Sequence, residues 1–119
     1  MNNIFCGLFI VGILSACSGN GDLSISVSDS DDEYEFVAKY DKAKTQRVQD
    51  FINARMAPAT SVKGDHVDIT TKLDDNTEFK LEEDEGRLRI LLDKDANTDA
   101  SYHRIKSMCE GVKRIIQEK

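Results

Sequence analysis

Leu23-Ser24-Ile25-Ser26-Val27-Ser28 alternates apolar and polar residues without a break, the period of a strand with one buried face. Ser28-Asp29-Ser30-Asp31-Asp32 has the composition of a turn, because Ser and Asp side chains bond their own backbone. Tyr34, Phe36, Ala38 and Tyr40 then alternate with Glu33, Glu35, Val37 and Lys39, so the two runs predict a β-hairpin with one apolar face. Asp41 is a candidate N-cap, since its carboxylate can accept from free backbone N–H groups. A helix is expected from there to about Met56, with Val48, Phe51, Ile52 and Met56 on one side. Pro58, the only proline, follows its end, where proline often stands.

The alternation then returns. Val67, Ile69, Thr71 and Leu73 form one run, Phe79 and Leu81 a second, and Leu88, Ile90 and Leu92 a third. Asp74-Asp75-Asn76 and Asp84-Glu85-Gly86 separate them, which predicts an antiparallel meander with tight turns. From about Ala100 to Gln117, Ile105, Met108, Cys109, Val112, Ile115 and Ile116 make a helical stripe at i, i+3, i+4 and i+7 spacing. Asp99 or Ser101 is its expected N-cap. One-sided strands need a cover, and two one-sided helices supply it. The expected fold is therefore α+β, a two-layer sandwich of order β-β-α-β-β-β-α, with both helices on one face of a five-stranded antiparallel sheet. The other face, with Ser24, Ser26, Glu35, Asp68, Lys80, Glu82, Arg87 and Arg89, is expected to face water.

Ahead of this domain, Ile4 to Leu14 is an apolar run, too short for a membrane span of about 20 residues. It fits the apolar region of a secretory signal peptide. Leu14-Ser15-Ala16-Cys17 follows and resembles the lipobox of bacterial lipoproteins. The resemblance covers residues 1–17 and implies lipidation of Cys17, cleavage between Ala16 and Cys17, and acylation of the new N-terminus. Met1-Asn2-Asn3 departs from such signals in lacking Lys and Arg, so only the terminal amino group supplies positive charge. The implied organisation is a signal peptide over 1–16, a lipidated cysteine and tether over 17–22, and one domain over 23–119. The implied location is the bacterial cell envelope, in the outer membrane facing the periplasm or the cell surface. The membrane is then reached through the lipid anchor, and the expected partner is an envelope protein. Two or more acyl chains anchor stably where one does not.

Charge narrows the partners. The formal net charge is −6, a poor basis for nucleic-acid binding, which needs Lys and Arg to neutralise phosphates. Nor does such a body adhere to anionic lipid by charge. The acid is unevenly spread. Residues 22–35 carry six acidic and no basic side chains, 74–85 seven acidic and one basic, and 100–119 five basic and two acidic. Such asymmetry can steer a partner, although turns favour Asp and exposed helix faces favour Lys and Arg in any case.

Few residues offer chemistry. Asp93-Lys94-Asp95-Ala96-Asn97-Thr98-Asp99 has an acidic or amide oxygen at every second position and resembles the first half of an EF-hand calcium loop. It departs at Thr98, where the loop needs Gly, and at Arg104, where it needs a bidentate Glu. In a meander the Asp74-Asp75-Asn76 turn lies at the same end as the exit of the last strand. Asp74 and Asp75 would thus approach Asp93, Asp95 and Asn97, a weak calcium site at best and otherwise two solvated loops. Of the three cysteines, Cys6 leaves with the signal and Cys17 takes lipid, so Cys109 stands alone in the apolar stripe as a buried thiol. His103 is six residues away on the same helix, turned roughly 240° from it, and His66 precedes a strand. No phosphate loop, Gly-x-Ser-x-Gly elbow or zinc spacing is present. The expectation is a non-enzymatic lipoprotein that binds or scaffolds at the membrane surface. The alternatives are an inhibitor or immunity-type lipoprotein and a calcium- or small-ligand-binding one. No cofactor is expected beyond the lipid on Cys17.

Overall fold

The computed structural model describes residues 23–118. Strands β1 (Ser24–Asp29) and β2 (Glu33–Lys39) precede helix α1 (Thr45–Met56), strands β3 (His66–Lys72), β4 (Glu78–Asp84) and β5 (Arg87–Asp93) follow, and helix α2 (Asp99–Gln117) ends the domain. The fold is the α+β sandwich that the patterning predicts. Its five strands are antiparallel and ordered β1-β2-β5-β4-β3. Alternation left the join between hairpin and meander open. The join is β2 on β5, where Tyr34, Phe36 and Ala38 stand opposite Leu92, Ile90 and Leu88. Pairing the two most apolar strands centrally buries both under the helices, leaving β1 and β3 as edges.

The core lies between sheet and helices. Phe36, Leu81, Leu88, Ile90 and Leu92 from the sheet meet Val48 and Ile52 of α1 and Ile105 and Val112 of α2, all at most 1% exposed. Burying each such side chain contributes about 1.5–3 kcal/mol. The helices cross closely at Gly111, where an added Cβ would lie 2.2 Å from Cζ of Phe51. Any larger residue there displaces the ring.

Two turns show why their residues are needed. In the β3–β4 connection the Leu73 N–H donates to Thr77 O, the Asn76 N–H donates to Leu73 O, and Asn76 takes φ 70°, a left-handed conformation that Asn tolerates better than most. In the β4–β5 turn Gly86 has φ 73°, and a Cβ would sit 2.7 Å from Tyr40 O. Gly86 O accepts from the Tyr40 N–H, and its own N–H donates to Thr45 Oγ1. That turn is thereby fastened to the β2–α1 junction.

The caps differ from expectation. Asp41 accepts from the Ala43 N–H at 3.0 Å and caps a 3-10 turn, Lys42–Lys44, so α1 begins only at Thr45. For α2 the cap is Thr98, not Asp99 or Ser101. Thr98 is extended (φ −87°, ψ 168°) and its Oγ1 accepts from the Ser101 N–H at 3.0 Å. Asp99 is the first helical residue, where its charge suits the helix dipole. At the other end of α2, Lys44 Nζ donates to the carbonyls of Ile115, Ile116 and Glu118, satisfying acceptors that a helix end leaves open.

Candidate functional site

The register sorts the surface by end. Ser24, Lys39, Arg87, Asp84 and His66 form one cross-sheet row, and the chain enters the domain beside it at Leu23. The β1–β2 turn, the β3–β4 turn and the β5–α2 connection lie at the opposite end. All three are acidic. Helix α2 runs from that end, where Ser101 meets Thr77, back to the entry end, where Lys44 holds its last carbonyls. The charge asymmetry of the sequence is in part a difference between the two ends of the strands, although the acidic Asp84-Glu85-Gly86 turn lies at the entry end.

The five residues considered for calcium all lie at the acidic end. Asp74 and Asp75 are held by Arg104, whose Nη1 is 3.3 Å from Asp74 Oδ1 and 2.9 Å from Asp75 Oδ2. Asp75 also accepts from the Thr77 N–H at 3.0 Å. Hydrogen bonding from Thr77, with help from Arg104, holds its carboxyl down at about 2. Asp93 Oδ1 accepts from the Asp95 N–H, and the Asp95 side chain is exposed. Asn97 stitches loop to sheet: its Oδ1 accepts from the Glu78 N–H, and its Nδ2 donates to Glu78 O and Asp93 O. The two loops meet, but through Asn97, Thr77 and Ser101, with Arg104 standing as the cation beside the carboxylates. Among the described residues no group of three His, Cys, Asp or Glu is gathered to hold a metal.

A second cluster closes the same end. Lys94 Nζ donates to Asp29 Oδ1 at 2.7 Å and to Ser30 O at 2.6 Å, and stands 4.3 Å above the Tyr102 ring. The Tyr102 hydroxyl donates to Asp29 Oδ2. Burial alone would raise the Asp29 pKa, but the bonds from Lys94 and Tyr102 outweigh it and hold it below its ordinary value. Two shallow hollows flank the cluster: about 170 Å³ bordered by Thr70, Lys80 and Leu91, and about 180 Å³ bordered by Lys94, Asp99 and Tyr102.

The outer sheet face carries the polar residues expected there. Arg89 centres it, with Nε 2.6 Å from Glu35 Oε2 and Nη1 2.9 Å from Glu82 Oε2. Lys80 extends the ladder to Glu82. Arg89 is about one-third exposed, and Val37 and Leu91 beside it are half-buried.

Sequence reasoning missed the most unusual side chain, Glu83. It is 2% exposed, on the helix-facing side of β4. Its Oε1 accepts from Gln49 Nε2 at 3.0 Å, and Gln49 also donates to Gly64 O. Glu83 Oε2 and the Tyr40 hydroxyl are buried with no partner among the described residues. Burial raises the Glu83 pKa, the Gln49 bond opposes that, and Asp84 adds to it. The signal was in the alternation: Glu83 follows Phe79 and Leu81 in phase, so the strand turns it inward.

The nucleophile candidates are separated. Cys109 is fully buried, and burial pushes its thiol pKa well up, which makes it inert. His66 is exposed beside Asp84 at the entry end, and its pKa is raised by that hydrogen bond. His103 is exposed near the acidic end, 3.4 Å from Asp99. Ala16 and Cys17 lie outside the described residues. Among the described residues no helix is long and apolar enough to cross a membrane. Compared with family models, curated proteins and solved structures, the chain matches none.

Proposed function

We propose that the chain is an envelope lipoprotein, anchored through lipid on Cys17, whose domain acts as a binding or scaffolding module without catalysis. The observation that carries this reading is Leu14-Ser15-Ala16-Cys17 after an apolar run, followed within a few residues by a folded domain. Ser18 to Asp22 spans at most roughly 17 Å when extended, which holds the domain close to the bilayer and favours a partner that is also at the membrane. The thiol is sealed in the core and the two histidines sit at different ends, so these three groups do not form one site. The uncovered outer face and the open edge of β1 offer contact surfaces. Fractionation of cells expressing Cys17→Ala tests the reading. The expected result is loss of membrane partitioning with an uncleaved or soluble chain, and normal membrane partitioning of the variant would overturn it.

A second reading, an inhibitor or immunity-type lipoprotein, draws on one feature. The acidic turns lie at the end opposite chain entry, and so away from the anchor, where they could cap a basic site on a toxic enzyme. Recovery of an enzyme from membranes with the wild-type chain, and its loss on Asp31→Lys with Asp32→Lys, would favour this reading. Recovery unchanged by those substitutions would count against it.

A further inference from the structure

The two edges of the sheet are not alike. On β3, His66, Asp68 and Lys72 are charged or titratable and exposed, the guard that edge strands commonly carry. On β1 no charged side chain appears from Leu23 through Ser28, and there is no proline. The hydrogen bonding fixes which groups of β1 are open. The Ser30 N–H donates to Glu33 O, so in the antiparallel ladder Ser24, Ser26 and Ser28 bond β2. Leu23, Ile25, Val27 and Asp29 then turn their backbone N–H and C=O groups to the edge that no described strand covers. Leu23 and Val27 are only partly buried, packed against the rim of the core.

We infer that β1 pairs antiparallel with β1 of a second copy of this chain, about a two-fold axis through Ser26, to give one continuous sheet. In that register Ile25 stands opposite Val27 of the other copy as a hydrogen-bonded pair on the helix side. Ser24 stands opposite Ser28, and Ser26 opposite itself, on the outer side. Leu23 meets Asp29, whose carboxylate Lys94 and Tyr102 already engage. No like charges face each other, and every open backbone group of β1 gains a partner. Moving the axis to Val27 would set Ile25 against Asp29, and moving it to Ile25 would set Ser28 against Asp22.

The chain before Leu23 argues for the same partner. The two-fold of such a pair is perpendicular to the sheet, so both chains enter at equal height along it. Two lipid anchors would thus reach one bilayer lying parallel to the sheet, a point that rests on the anchor reading. A pairing through six residues is small beside the ~800 Å² per partner of a standard stable interface. It strengthens when both copies are confined to one surface.

The test is disulfide trapping in cells of the full chain carrying Cys109→Ala. A non-hydrogen-bonded antiparallel pair brings Cα atoms to about 4.5 Å, within disulfide reach. Ser26→Cys is therefore expected to yield at least severalfold more covalent dimer on mild oxidation than Asp68→Cys on the opposite edge. Adding Ser24→Glu with Ser28→Lys, which face each other across the axis, is expected to raise the Ser26→Cys yield further. Equal yields at the two edges, or a yield that ignores the charge pair, would overturn the pairing, as would trapping of Ser26→Cys to a different protein alone. The comparison is read in whichever fraction holds the chain. The parent chain, which keeps only Cys6 and Cys17, sets the baseline for both yields, so failure of the anchor shows as a soluble chain and failure of the pairing as absent trapping above that baseline.

Discussion

Replacing Glu83 with methionine is expected to shift stability in the variant's favour as pH rises from acid to neutral. Glu83 is 2% exposed, one oxygen has no partner, and burial raises its pKa. The raised folded pKa fixes the sign. The wild-type stability is fully present below the unfolded value, about 4.3 for Glu, and declines as pH rises through the folded value. Each pKa unit between the two states is worth about 1.4 kcal/mol. Methionine has similar length and no charge, and Gln49 keeps Gly64 O as an acceptor at 3.2 Å, but the Nε2 hydrogen that Glu83 Oε1 accepts loses its partner, at a cost of about 1–3 kcal/mol at every pH. Urea unfolding of the full chain, followed by circular dichroism at pH 4, 5.5 and 7, measures the effect. The stability of Glu83→Met relative to the wild type is expected to rise from pH 4 to pH 7, because the unfolded glutamate gives up its proton over that range more readily than the folded one. A loss of stability at pH 7 of the same size as at pH 4 would refute the reasoning. It would mean that the Glu83 pKa is the same in the folded and unfolded states.

Three further outcomes follow from particular contacts. Gly86→Ala places a Cβ 2.7 Å from Tyr40 O at φ 73° and should cost about 1–3 kcal/mol, read as a lower urea midpoint with an unchanged m-value. Gly111→Ala drives a Cβ into Phe51 and should cost about 1–3 kcal/mol as overpacking; pairing it with Phe51→Leu should recover part of that loss, and strictly additive losses would contradict the contact. Calcium at millimolar concentration should leave the melting temperature unchanged, because Arg104 already occupies the space beside Asp74 and Asp75 and pairs with both; an upward shift of several degrees would show that a cation competes successfully.

Alternation made the five strands legible because each apolar side chain had one face to reach. Ile25, Phe36, Leu81 and Ile90 each sit buried where the period put them, Ile25 and Leu81 between polar neighbours and Phe36 and Ile90 with one apolar neighbour on the outer face. The strand order was not legible. Period identifies a buried face but not the neighbouring strand, and β2 could as well have been an edge until its apolar residues were matched to those of β5. Thr98, Asp99 and Ser101 are all competent caps, and only the extended backbone at Thr98 separates them. Glu83 was overlooked because charge outweighed phase in the reading. Its position two residues beyond Leu81 was the better guide. The meeting of the two acidic loops was foreseeable from topology. That Arg104 would fill the space was not, since it comes from a helix thirty residues downstream of Asp74.

The central claim is tested most directly by intact-mass analysis of the protein extracted from membranes of a bacterium that processes lipoproteins. The expected N-terminal peptide begins at Cys17 and carries the mass of a diacylglycerol with a further acyl chain. A chain that retains the Ala16–Cys17 bond, or an unmodified Cys17, would contradict it.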